Sequence, residues 1–167
     1  MAGQYQRASD LRDFDINKSP PIPVAIGKYL NNIHVEYQNG DGINVLGRTY
    51  ESGLGFNEGL APAKEHGLWG YIDTAGAFVI QPKYAEAQGF RNGFAAVRLQ
   101  KSGKFGMIDT QGILVVPAQY NWITEYRDGL IEVTAEQNGI AYWAYINLSN
   151  NQIWPSISAQ SSFSSNP

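Results

Sequence analysis

The side chains with chemical reach are few. Asp73 and Asp109 recur at one place in the sequence, and paired carboxylates are common equipment for general acid–base work. Their counterparts in the same register are Asn39 and Asn147, amides that cannot act as general acids. That pattern fits an oxygen that builds a turn instead. The run Gly53-Leu54-Gly55-Phe56-Asn57-Glu58-Gly59 looks like a phosphate cradle. Its spacing is GxGxxxG rather than GxGxxG, and no helical pattern follows to present a positive end. His34 and His66 are the only histidines, and neither has a second histidine or a carboxylate at ligand spacing. Asn147-Leu148-Ser149 has the form of a glycosylation sequon. The expectation is a protein with no catalytic residue, no metal and no cofactor.

Composition excludes further classes. With no cysteine among 167 residues, thiol nucleophiles, disulfide frameworks and cysteine-based metal sites are out. Net charge is −3, and after Arg127 the only charges are Asp128, Glu132 and Glu136. That is the wrong sign for gripping a phosphate backbone, so nucleic acid is not an expected partner. No apolar run approaches the roughly 20 residues of a membrane span. The opening MAGQYQRASDLRDFD lacks the apolar core of a signal peptide, which predicts a cytoplasmic protein. Hydrophobic residues make up 43%, enough to fill one domain core.

The elements that position these residues come in copies. Tyr50, Tyr84 and Tyr120 are spaced by 34 and 36 residues. Six residues after each stands an aromatic (Phe56, Phe90, Tyr126), and three further on a glycine (Gly59, Gly93, Gly129). Then follow Leu68-Trp69-Gly70-Tyr71-Ile72-Asp73, Lys104-Phe105-Gly106-Met107-Ile108-Asp109 and Tyr142-Trp143-Ala144-Tyr145-Ile146-Asn147. Self-similarity at such a period marks a repeat architecture. The same register finds a worn copy over residues 35–50 and a partial one at Ile153-Trp154-Pro155.

Each copy reads as β structure. Runs rich in Val, Ile, Tyr, Phe and Trp are broken by glycine, and no 3.6-residue period is sustained. Asp73 to Gly76, Asp109 to Gly112 and Asn39 to Gly42 fit type I turns, and Asn147 to Asn150 is the fourth version. The expected fold is all-β: about eleven strands in consecutive antiparallel three-stranded meanders, forming a twisted, elongated array. Residues 1–26 are expected to be an extended arm, because Pro20-Pro21-Ile22-Pro23 favours polyproline geometry. The β-repeat domain spans 27–155, with a partial copy at 33–59 and full copies at 60–93, 94–129 and 130–155. Serine-rich residues 156–167 read as a flexible tail.

Trp69-Gly70-Tyr71-Ile72-Asp73, Gly76, Val79-Ile80, Pro82, Tyr84, Phe90 and Gly93 together resemble the bacterial WG-repeat family, also called KWG repeats. The resemblance covers about residues 33–155. The name-giving dipeptide is Trp-Gly only once, becoming Phe105-Gly106, Trp143-Ala144 and Val35-Glu36 elsewhere. The resemblance implies a β-repeat array without shared catalytic residues, used as an interaction module.

The stripe of Trp69, Phe105 and Trp143 with Tyr71, Met107 and Tyr145 reads as core, stacked between neighbouring units. The small residue between (Gly70, Gly106, Ala144) then faces the other way, where something packs close. Trp122 stands where other copies have Ser52 and Glu86, so it is either a surface anchor for a partner or a contact with a neighbouring tail. One hairpin connection lengthens from copy to copy in steps of two, which preserves side-chain facing. Its rim residues include Glu65, His66, Lys101, Ser102, Gln137 and Asn138. Rim growth suits either a binding edge or neutral drift at a tolerant loop.

The function expected from all this is non-catalytic: an adaptor, linker or assembly factor gripping a larger protein or multiprotein assembly. The candidate contacts are the rim, Trp122 and the arm residues Pro20, Pro21, Ile22 and Pro23. The alternative is carbohydrate or cell-envelope binding through exposed aromatics.

Overall fold

A computed structural model describes residues 20–27, 33–101 and 103–154. Among them there are strands and turns and no helix. The strands are β1 (Ile22–Ile26), β2 (His34–Gln38), β3 (Asn44–Tyr50), β4 (Ser52–Gly53), β5 (Ala61–Glu65), β6 (Leu68–Ile72), β7 (Phe78–Tyr84) and β8 (Glu86–Ala87). They continue as β9 (Phe94–Arg98), β10 (Phe105–Asp109), β11 (Leu114–Tyr120), β12 (Trp122–Ile123), β13 (Ile131–Gln137), β14 (Ile140–Ile146) and β15 (Gln152–Trp154). They form four antiparallel sheets in chain order: β1-β2-β3, β4-β5-β6-β7, β8-β9-β10-β11 and β12-β13-β14-β15.

The meander is therefore as expected, with one addition. Each later sheet begins with a two-residue strand, β4, β8 or β12, inside what the sequence presents as an irregular link. Such a strand is too short to show a period of two, so no hydrophobic pattern announces it. A single residue, Glu51, Ala85 or Asn121, carries the chain out of one sheet and into the next.

Turn chemistry holds each sheet together. The Asn39, Asp73 and Asp109 Oδ1 atoms each accept from the backbone N–H groups two and four residues on, at 2.9–3.0 Å. Asn147 Oδ1 accepts from Asn151 N–H at 2.9 Å. Gly76 and Gly112 close these turns with φ of 82° and 79°, and Asn150 does so at 61°, in the region where glycine and asparagine cost least. A second turn series lies in the links. Glu58-Gly59, Asn92-Gly93 and Asp128-Gly129 all have positive φ. Asn57, Arg91 and Arg127 exchange backbone hydrogen bonds with Leu60, Phe94 and Leu130, the pattern of a two-residue type I′ hairpin. Successive turns of this series are tied together. Gly93 N–H donates to Glu58 Oε2 at 2.9 Å, and Asn92 Nδ2 donates to the Tyr126 carbonyl at 2.9 Å.

The core lies between sheets, in three blocks. Val35, Tyr37 and Tyr50 of the first sheet meet Ala61, Ala63 and Ile72 of the second. Tyr71, Ile80 and Tyr84 of the second meet Val97 and Ile108 of the third. Phe105, Met107, Val116 and Tyr120 of the third meet Ile131, Val133 and Ile146 of the fourth. Alternate residues of one strand thus serve two different cores, as the pleat requires.

Two placements differ from expectation. Ile22–Ile26 is not an arm outside the repeats: it is the first strand of the first sheet, with Pro23 opposite Tyr37 as Pro62 is opposite Tyr71. The segment is the missing opening strand of the worn copy. Its one proline, Pro23, sits on a strand that has a neighbour on one side only among the described residues, where no second ladder demands an N–H. The remainder of residues 1–26 apart from 20–26, and the tail at 156–167, lie outside the described residues.

The stripe also divides. Tyr71, Phe105 and Met107 are buried and Trp69 packs half-buried, but Trp143 is 49% exposed. In the fourth sheet the buried residues of β14 are Ala144 and Ile146, which face the third sheet. Trp143 and Tyr145 face the side where, among the described residues, no further sheet stacks.

The close approach expected at the small residues is real. A Cβ on Gly70 would lie 2.4 Å from the Ile80 carbonyl oxygen, and one on Gly106 would lie 2.6 Å from that of Val116. The cause is a register shift: Trp69 pairs with Tyr84 and Tyr71 with Ile80, so β7 bulges over Gly70. In the fourth sheet the equivalent residue is Ala144, and β15 pairs Trp154 with Tyr145.

Candidate functional site

The rim residues occupy equivalent hairpin tips. His66-Gly67 and Asn138-Gly139 have φ of 51°, 76°, 54° and 77°, so type I′ turns join β5 to β6 and β13 to β14. Between β9 and β10 the ladder stops at Arg98–Phe105. The pairs Ala63–Gly70, Val97–Gly106 and Val133–Ala144 keep one register throughout. Added residues become loop in the third sheet and extra ladder in the fourth, and no face is flipped.

The structure places the sequence-derived candidates as follows. Glu65 pairs with Arg48 at 2.6 Å. His66, Lys101, Gln137 and Asn138 are exposed, and Ser102 lies outside the described residues. Pro20 is exposed and Pro21 half-buried, while Ile22 is 58% exposed and Pro23 half-buried on β1. The tips thus recur along one side of the sheets, whereas Pro20 to Pro23 belong to the opening strand of the first sheet and its approach.

Trp122 has a definite setting. It lies on β12 opposite Thr134, which in turn is opposite Trp143, so the three share one face of the fourth sheet. Trp122 is 50% exposed, and its ring meets Phe105 edge-on at 5.4 Å. Trp143 meets Tyr145 edge-on at 6.0 Å. The tail contact considered for Trp122 concerns residues outside the described ones. Beside this row, a cleft of about 420 Å³ is lined by Thr124, Glu125, Arg127, Asp128, Leu130, Glu132 and Tyr145. Glu132 is opposite Tyr145 in the ladder, so the cleft opens on the same face.

The dipeptide row distinguishes the sheets. Ser52–Lys64–Trp69 in the second becomes Glu86–Arg98–Phe105 in the third and Trp122–Thr134–Trp143 in the fourth. Residues 69–102 and 105–138 each match the family model of the WG containing repeat.

These two segments are similar to WG repeats.

The two matches begin at Trp69-Gly70 and Phe105-Gly106 and run through β6 to β9 and β10 to β13. The WG repeat is thus one meander cut at a different phase from the sheets, which begin at β4 and β8. No curated protein and no solved structure matches the chain.

The two aspartates at equivalent repeat positions build turns. The Asp73 and Asp109 carboxylates accept the turn N–H groups described above. Gly53, in the glycine run, is where a Cβ would strike the Tyr37 hydroxyl at 2.6 Å. Burial pushes the Tyr37 and Tyr71 hydroxyls well above the ordinary tyrosine range, so they remain neutral donors. They donate to the Leu54 and Gln88 carbonyls, both at 2.8 Å. No group of three or more potential metal ligands clusters among the described residues, and no helix there is long and apolar enough to cross a membrane.

Sequence reasoning missed the charged partners of the aromatics. Arg48 lies over Tyr50 and Phe78 and pairs with Glu65, and Arg98 lies over Phe105 and pairs with Glu86. The signal was in plain view, since Glu86 and Trp122 are the same repeat position. It was legible only once the ladder showed which residues stand side by side.

Proposed function

We propose that this WG-repeat chain is a non-catalytic protein-binding module, an adaptor or assembly factor for a larger protein partner. The observation that carries the reading is the row Trp122–Thr134–Trp143, with both indoles about half exposed on one sheet face. Large aromatics left partly open are the side chains that most often anchor protein contacts. The exposed hairpin tips at His66, Lys101 and Asn138 supply polar contacts, the last at the end of the same β13–β14 hairpin. A surface with only 16% charged residues costs less to desolvate than one rich in Lys and Glu.

The test is site-specific photo-cross-linking of the full chain in its native cell. A photoreactive residue at Asn138 or Trp122 is expected to capture one discrete set of proteins, and one at exposed Gln81 is not. Equal labelling from all three positions would count against the reading. So would saturable binding of an insoluble glycan abolished by Trp122→Ala, since the carbohydrate alternative draws on the same two indoles.

A further inference from the structure

Asn-Gly steps occur in the chain at Asn39-Gly40, Asn92-Gly93 and Asn138-Gly139. An asparagine followed by glycine carries its own reagent. No side chain crowds the glycine nitrogen, so that nitrogen can reach the asparagine Cγ and close a cyclic imide. The reaction requires the asparagine ψ to rotate and its amide to turn toward the next nitrogen. What a fold alters is how firmly those groups are held.

Two of the steps share one backbone. Asn92-Gly93 has φ of 52° and 82°, and Asn138-Gly139 has 54° and 77°, so each forms the centre of a type I′ turn. Their surroundings differ. Asn92 Nδ2 donates to the Tyr126 carbonyl at 2.9 Å, and Gly93 N–H donates to Glu58 Oε2 at 2.9 Å. The amide to be lost and the nitrogen that must attack are thus both tied to neighbouring turns, and the Glu58 carboxylate opposes loss of the N–H proton. Asn39 is fixed in another way, its Oδ1 accepting from the Asp41 and Ile43 N–H groups, each at 3.0 Å. Asn138 and Gly139 stand exposed beyond the closing pair Gln137–Ile140 of the β13–β14 hairpin. Among the described residues neither the Asn138 amide nor the Gly139 N–H has a hydrogen-bond partner.

We propose that Asn138 is a site of self-modification, where the chain converts its own amide into a carboxylate. Gly139 N gives its proton to hydroxide and bonds to Asn138 Cγ. The Cγ–Nδ2 bond breaks, and the amide departs as ammonia with a proton taken from water. Water then opens the imide at either of its C–N bonds, leaving aspartate or isoaspartate. Nothing is oxidised or reduced. The tip gains a negative charge close to Glu136, and the isoaspartyl form puts an extra methylene into a turn that has no slack. This inference goes beyond the adaptor reading and does not rest on it: the age of a chain is written on one hairpin tip.

The experiment holds the full chain at mildly alkaline pH, native and in urea, and follows the amide-to-acid mass gain at each asparagine by peptide mapping. In the native chain Asn138 should convert about tenfold or more faster than Asn92, where two hydrogen bonds must first break. In urea the rates at Asn39, Asn92 and Asn138 should converge. Glu58→Gly tolerates the positive φ of that turn position and removes the acceptor. It should speed conversion at Asn92 about severalfold and leave Asn138 unchanged. Asn138→Gln, whose extra methylene takes the amide out of reach of that ring, should abolish the gain at its position. Equal native rates at Asn92 and Asn138, or faster conversion at Asn39 or Asn92, overturn the proposal. A native chain in which Asn138 stays intact while the urea-unfolded chain converts overturns it too. Conversion at Asn92 that stays slow in Glu58→Gly overturns the tethering on which the contrast rests.

Discussion

The third and fourth sheets are built on one plan and end in different surroundings. Each opens with a two-residue strand, runs through a hairpin in the same register and closes on a returning strand, Leu114–Tyr120 in the third and Gln152–Trp154 in the fourth. Phe105 in the third is 4% exposed and Met107 fully buried, whereas their counterparts Trp143 and Tyr145 in the fourth are not buried. The facing is the same; among the described residues a further sheet stacks on the first pair and none on the second. A repeat position is therefore not core or surface by its motif. It is made so by whether the next unit stacks on it, as expected of an array held by nearest-neighbour contacts. What the fourth sheet changes in sequence, Glu86 to Trp122 and Arg98 to Thr134, is then informative about use.

The largest test of this contrast truncates the equivalent aromatics. Phe105→Ala should cost about 3–5 kcal/mol, the usual loss for a buried phenylalanine that leaves a cavity. Trp143→Ala should cost under about 1 kcal/mol, as surface substitutions do. Urea unfolding of both variants reads the difference. Equal losses would mean that the outer face of the fourth sheet is as enclosed as the interior one.

A smaller effect probes the residue between. Gly106→Ala puts a Cβ against the Val116 carbonyl oxygen, a clash with backbone that cannot swing aside, and should cost about 1–3 kcal/mol. The reverse change in the fourth sheet, Ala144→Gly, meets no such obstacle. It should cost no more than about 1 kcal/mol, through backbone entropy. If Gly106→Ala proves neutral in the unfolding midpoint, the bulge of β11 over that glycine is not rigid.

Much of this plan is legible in the sequence, and the reasons are specific. Asp73, Asp109, Asn39 and Asn147 announced their turns because the side-chain oxygen acts locally, within four residues. The stripe through Tyr71 and Met107 was legible because strand alternation is local too. β1 is hidden in the sequence because Pro20, Pro21 and Pro23 carry a strong local signal for extended, unpaired chain. The pairing that overrides it, Ile22–Ile26 with His34–Gln38, is a tertiary fact. The exposure of Trp143 escaped for the same reason, since it depends on what stacks beyond the sheet. Trp122 did stand out in the sequence, as a departure from Ser52 and Glu86. Its partners Thr134 and Trp143 did not, because register across β12, β13 and β14 is needed to see the row.

The finest contrast concerns one hydroxyl at the boundaries. Tyr50 donates to the Gly76 carbonyl at 2.8 Å, and Tyr120 donates to Asn150 Oδ1 at 2.5 Å. Tyr84 holds the same repeat position with its hydroxyl buried and, among the described residues, without a hydrogen-bond partner. Gly112, the equivalent of Gly76, adjoins Ile80 side-chain atoms rather than that hydroxyl. A satisfied buried hydrogen bond contributes about 1 kcal/mol net, and an unsatisfied buried polar group costs about as much or more. Tyr50→Phe should therefore destabilise by about 1 kcal/mol, and Tyr84→Phe should be neutral or stabilising. Both substitutions remove the same atom from equivalent places, so transfer and packing contributions largely cancel and the sign of the difference reports the hydrogen bond alone. Matching losses in the two urea midpoints would show that Tyr84 is satisfied after all, and that the second and third sheets meet as the first and second do.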